Sequence, residues 1–365
     1  MRVRISAMLS LTALACATLC AGLPGAAMAA EPGAVATAAP VLHLGGRTEL
    51  PAYTGDFDHL AADVKGNRLF LAGEDGATLE VFNLKTGAHL KTVKGFEQPH
   101  GILYLPDVNR LIVTDSGAGM TKVVDGTNYQ IIGSIPLTLG ADSMHYDPSR
   151  KHLYIVTGGK NAEPKMSKTI VAEIDPRSGR TIGEMQFDTD FTEAMAAEQK
   201  GNRLFINVTG KNMVAVVDKA SRRIIDTWPI KGAELNAAMA LDEAHQRLFI
   251  STRKPFKLLV LDTKNGAELA SFDAPERTNQ VMFDEANQRI YMAGDNYLGV
   301  IQQKGANHYE ALANVPTAKG AKTAILVPEL RRMYVAVSPG DSKGGGALLR
   351  FNVLPGGASH ALAGN

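Results

Sequence analysis

The chain has 365 residues, 38 Lys and Arg against 37 Asp and Glu, and two cysteines. A net charge of +1 offers no bulk attraction to nucleic acid or to anionic lipid. Both cysteines, Cys16 and Cys20, fall in the segment 1–30, so the remainder has no disulfide, thiolate nucleophile or cysteine-ligated metal.

That opening segment reads as a secretory signal peptide. Arg2 and Arg4 give a basic start, an apolar run extends from Ile5 to about Leu23, and Ala27-Met28-Ala29 supplies a small-x-small cleavage site. The alternatives are an uncleaved membrane anchor, or a lipoprotein built on Cys16 or Cys20. The anchor is disfavoured by the Ala, Thr and Ser that dilute the run. The lipoprotein is disfavoured because neither cysteine has the usual preceding residues. A periplasmic or secreted location follows. Residues 31–40 form a small, Pro-containing leader. No later stretch is long and apolar enough to span a bilayer.

From residue 41 one short phrase returns seven times: NRLFLAG (67–73), NRLIVTD (109–115), KHLYIVT (151–157), NRLFINV (202–208), QRLFIST (246–252), QRIYMAG (288–294) and RRMYVAV (331–337). Its apolar anchors are Leu69, Leu111, Leu153, Leu204, Leu248, Ile290 and Met333, at intervals of 42, 42, 51, 44, 42 and 43. Each copy sits among short apolar runs joined by Gly, Asp, Asn and Lys turns, four runs per repeat. A period in the low forties with four strands per unit predicts an all-β, seven-bladed propeller over 41–355, followed by a tail at 356–365. The seventh repeat lacks a fourth run. The segment VLHLGGRTEL (41–50) precedes the first blade, and is expected to complete the last one and close the ring. Two connections between second and third strands are long, 157–168 in the third blade and 338–346 in the seventh. Long loops on a rigid scaffold often carry function, or they are tolerated insertions.

The stretch QPHGILYLPDVNRLIVTD (98–115) resembles the YVTN-type repeat. With its export signal, the chain is similar to the YncE-like exported bacterial propellers. That resemblance implies a seven-bladed protein, mostly without an established enzyme activity, with binding roles that include single-stranded DNA in one branch. Several copies, such as DEAHQRLFIST (242–252), have lost the Pro-Asp turn and the terminal Thr-Asn.

Eleven positions before each anchor lies the start of the innermost strand, at the mouth of the central channel. The residues there are Asp58, His100, Asp142, Glu193, Ala237, Asn279 and Lys322, with His59 and Asn236 one step off. Positions two and four further on are apolar, so the polar residue marks the solvent end of one sheet face. A ligand-binding mouth is the first reading: a binding or scaffold propeller with a protein or small-molecule partner, expected as a monomer and linked to envelope uptake. A second reading places a divalent cation on His59, His100, Asp142 and Glu193, to activate water in a lactonase-like hydrolysis. The bland reading is a solvated rim bridged by water. A third function, single-stranded DNA binding, is disfavoured by the charge balance. No G-x-S-x-G, Walker or H-E-x-x-H motif is present. The basic residue before each anchor (Arg68, Arg110, His152, Arg203, Arg247, Arg289, Arg332) is too regular to be a site and is expected to brace turns.

Overall fold

A computed structural model describes residues 40–340 and 345–355. The predicted signal peptide, most of the leader, the C-terminal tail and part of the seventh-blade loop lie outside the described residues. The described chain folds into seven four-stranded antiparallel sheets, each except the last built from consecutive strands. Their first strands are Leu60–Asp63, Pro99–Leu105, Met144–Asp147, Met195–Ala197, Glu234–Asp242, Gln280–Asp284 and Thr323–Val327. Each touches the first strand of the neighbouring blade, and the last touches the first, so the strands surround one channel. Among the described residues no helix is long and apolar enough to cross a membrane.

The repeated phrase builds the second strand of every blade. Side chains alternate in a strand, so the anchor and its successor face opposite ways. In the first copy Leu69 packs back against Tyr334 of the seventh blade, while Phe70 packs forward against Ile102 and Leu111 of the second. The same division holds at Phe205 and Leu248, at Phe249 and Ile290, and at Tyr291 and Met333. Each of these blade interfaces therefore joins an aromatic residue of one blade to the anchor of the next. Most of these residues are wholly shielded from water.

The basic residue before the anchor shares the forward face with the aromatic one. Arg68 donates to the Gly126 carbonyl of the next blade, Arg203 to that of Thr263, Arg247 to that of Ala306 and Arg289 to that of Leu354. Arg332 donates to Lys85, across the closure from the seventh blade to the first. In the third blade His152 instead bonds Glu173 within its own sheet. In five of the seven copies the expected bracing is therefore a stitch between blades. The residue before the basic one is left-handed in six copies, from φ 46° at Asn109 to 59° at Gln246. That conformation closes the tight hairpin between first and second strands.

The ring closes as the sequence predicts. The N-terminal strand Leu42–Leu50 pairs antiparallel with Gly346–Val353, with a bulge between Leu44 and Gly46. It supplies the fourth strand of the seventh blade. Leu42 is buried in the core between the sixth and seventh blades, whereas Leu44 is half exposed. Leu42→Ala is expected to cost about 2–4 kcal/mol by denaturant titration, and Leu44→Ala less than about 0.5 kcal/mol. Equal costs would contradict this closure.

Candidate functional site

At one end of the channel the first strands begin, and their opening residues converge as counted from the anchors. Asp58, His59, His100, Asp142, Glu193, Asn279 and Lys322 line a polar cup of about 150 Å3. Asn236 does not join them. A register shift between Asn236 and Met239 turns it into the interface with the fourth blade, where it is fully buried and donates to the Asn207 side chain and the Met213 carbonyl. Ala237, the equivalent position of the fifth blade, has no polar group to offer.

The second strands end beside the same mouth, and the residues five beyond the anchors complete the site. Glu74 lines the cup, while Ser116, Arg253 and Ser338 bond to the mouth or its neighbours. Arg253 compensates for Ala237. Its guanidinium donates to Asn279 at 3.0 Å and faces Glu193 at 3.7 Å. The long third-blade loop supplies two more residues. Gly158 and Gly159 both have positive φ, and a Cβ on Gly159 would lie 2.2 Å from the Asp190 carbonyl. Only glycine suits this turn. It carries Lys160 and Asn161 into the cup, and Asn161 donates to Asp142 at 2.5 Å. All seven blades thus contribute to one ring.

Its centre is His100. Nδ1 lies 2.8 Å from Asp58 and 3.5 Å from Asp142, and Nε2 lies 2.8 Å from the Ser116 hydroxyl. That hydroxyl donates onward to Gln98, so it accepts from His100. Both ring nitrogens are therefore donors, which is the pattern of an imidazolium. Burial alone would lower the His100 pKa, but the carboxylates of Asp142 and Asp58 push it up to about 10. Asp58 is held far below the usual carboxylate range, since His59, His100 and Lys322 outweigh its burial. Lys322 answers two further acids, Asp56 at 3.0 Å and Glu74 at 3.7 Å. Burial and the nearby Asp58 charge push Glu74 up to about 7, against the pull of Lys322 and His100. Burial also raises Glu193, partly offset by Arg253.

Of the residues expected to hold a metal, only His100 and Asp142 come together. With Asp58 they place three ligand atoms within 4.8 Å of one another. The His100 Nδ1 proton points between the two carboxylates, so a cation at that point has to displace it. His59 stands to one side, 3.6 Å from Asp58, and Glu193 faces Arg253.

Beneath the cup the channel widens to a cavity of about 490 Å3. His59, Ser143, Glu193 and Asn279 line both spaces. Lower down the walls mix polar and apolar groups, among them Met144, His145 and Gln280, while Met195, Met239 and Met282 are mostly buried between blades.

No protein-family model matches this chain, and neither does any curated protein. Solved structures do match in shape. A chain from the crystal structure of the mitotic checkpoint complex superposes with a TM-score of 0.68 at 14% identity, covering 93% of this chain and 99% of that one. The hydrazine synthase of Kuenenia stuttgartiensis gives 0.68 at 15% identity, covering 85% and 98%. At such identities the likeness establishes the seven-bladed fold and nothing about chemistry.

The charges of the ring make stability depend on pH in two windows. The folded pKa of His100 lies above its ordinary 6.5, so its contribution is complete below about pH 6.5 and is lost as pH rises to about 10. Glu74 also binds its proton more tightly when folded, so stability falls further between about pH 4.5 and 7. His100→Gln is expected to cost about 3–5 kcal/mol at neutral pH and to flatten the upper window. Glu74→Gln is expected to flatten only the lower one. Denaturant titrations across pH check both, and an unchanged upper window in His100→Gln contradicts the assignment.

Proposed function

We propose that this chain is an exported binding propeller of the YVTN-type, YncE-like kind, which holds a small ligand at the channel mouth in the cell envelope. What supports the binding role is the cup. It is the concavity where charged groups from around the ring converge, and it opens directly into the wider channel below. The acids and bases there are mostly spent on one another: Asp58 pairs with His100, Asp56 with Lys322 and Glu193 with Arg253. That arrangement suits recognition better than turnover. The YVTN-type assignment rests on residues 98–115, and export rests on the basic, apolar and small-residue order of the segment 1–30.

A divalent-metal hydrolase is the second reading, favoured by the 4.8 Å grouping of Asp58, His100 and Asp142. It requires His100 to give up a tightly held proton. Metal loading would then release protons, and would strengthen steeply as pH rises.

One preparation tests the proposal. Protein recovered from the envelope of its own cells is expected to begin near residue 31. A thermal-shift screen across anionic, cationic, zwitterionic and neutral small molecules should find a stabilising class. Ala194 lines the channel next to Glu193, and Ala194→Trp, which adds bulk below the cup, should abolish that shift. An intact Met1 in the cytoplasm refutes the export. Ligand shifts that survive Ala194→Trp refute the site.

A further inference from the structure

Every side chain that lines the cup is polar, whereas Leu60, Ile102 and Val281 join the wall of the channel below. The charges of the cup are closed on one another. Asp58 and Asp142 flank His100, Asp56 and Glu74 flank Lys322, and Glu193 faces Arg253. Lys160 is exposed, and water meets its charge. An anion entering beside Lys322 meets Asp56 and Glu74. A cation entering beside Asp58 meets His100. Either brings like charges within a few ångströms of each other in a shielded site, which is costly. A charged ligand therefore has to open an existing pair, and a neutral one does not.

Closing an ion pair does not exhaust the hydrogen bonds of its members. A carboxylate offers several acceptor sites, an ammonium several donors and an amide both kinds. Asn161 directs an amide N–H to Asp142 at 2.5 Å. Asn279 directs one to Asp58 at 3.2 Å, and its oxygen accepts from Arg253. The Ser143 hydroxyl donates to Glu193 at 3.4 Å, and a hydroxyl oxygen also accepts. Donors and acceptors thus lie side by side around the wall. A ligand hydroxyl, which donates and accepts through one atom, matches such a wall.

Size narrows the class further. A cup of about 150 Å3 has room for about five waters at roughly 30 Å3 each. A hexopyranose carries a similar number of hydroxyl groups on one compact ring, and each stands in for a water. A ligand that reproduces the hydrogen bonds of the water it displaces keeps the polar contacts of the site.

We propose that the mouth takes a neutral monosaccharide, whose hydroxyls bond the carboxylates, amides and Ser143 of the cup without opening an ion pair. This rests on the binding role given above and names the ligand class for that site.

Isothermal titration calorimetry on the purified protein tests it with D-glucose, D-galactose, D-mannose and myo-inositol. At least one is expected to bind with a Kd below about 1 mM. The matching amino sugar, which adds an ammonium, and the matching uronate, which adds a carboxylate, are each expected to bind at least about tenfold more weakly. Affinity for the neutral compound should stay level between about 0.05 and 0.5 M sodium chloride. Asn161→Ala, in the third-blade loop outside the sheets, should weaken it about three- to tenfold, with a thermal melt to establish that the variant folds. The comparison of neutral and charged compounds is made on the wild type and does not depend on any variant. Absent heat from all four neutral compounds at tens of millimolar, a charged analogue that binds more tightly than its parent, or full affinity in Asn161→Ala overturns the assignment. If a charged compound then stabilises the wild type and fails with Ala194→Trp, the binding role stands and only the ligand class falls.

Discussion

Seven sheets arranged around one axis must bring seven strand ends to the same place. Whatever those ends carry is forced together in a site shielded by the blades, where charges a few ångströms apart interact strongly. Here they carry aspartates, glutamates, lysine and histidine, and the arrangement is stable only because opposite signs adjoin. Asp58 and Asp142 flank His100, Asp56 and Glu74 flank Lys322, and Arg253 stands between Glu193 and Asn279. Each member sets the charge state of its neighbours. A change at one position is therefore felt around the ring and is not additive.

The scaffold that imposes this convergence is economical in sequence. Three consecutive residues of the repeated phrase do separate tasks: the basic one reaches a carbonyl of the next blade, the anchor packs backward and the aromatic one packs forward. Because every interface makes similar demands, the phrase recurs. The mouth has no such uniform demand, so there the copies diverge. The arginine stitch and the pairing of Leu42–Leu50 with the last strand both cross the seam between the chain's two ends. The ring is consequently as continuous at its closure as elsewhere.

That division decides what could be read in advance. Blade number, the order of strands and the closing strand all follow from repetition and were legible. So was the main arc of the mouth, since a fixed count back from each anchor finds Asp58, His100, Asp142, Glu193, Asn279 and Lys322. The neighbouring Asn236 was misplaced, because a bulge shifts the register of its strand. Glu74, Ser116 and Arg253 were missed although a forward count of five from Leu69, Leu111 and Leu248 reaches them; strand exits at the mouth matter as much as strand starts. Loop length flagged 157–168, but only the paired left-handed glycines determine that Lys160 and Asn161 turn inward. The protonation of His100 was out of reach altogether. It depends on Asp58 and Asp142, carried by the blades on either side, lying 2.8 and 3.5 Å from one nitrogen.

The central claim is that a protonated histidine, and not a vacant ligand set, organises the mouth. Nitrogen-15 NMR of the imidazole of His100 at pH 8, assigned by comparison with His100→Gln, tests it most directly. Both ring nitrogens are predicted to be protonated there, with the signal turning to a neutral form only near pH 10. A neutral ring at pH 8, with one nitrogen bare, would contradict the account and return the Asp58–His100–Asp142 group to the chemistry of a metal site.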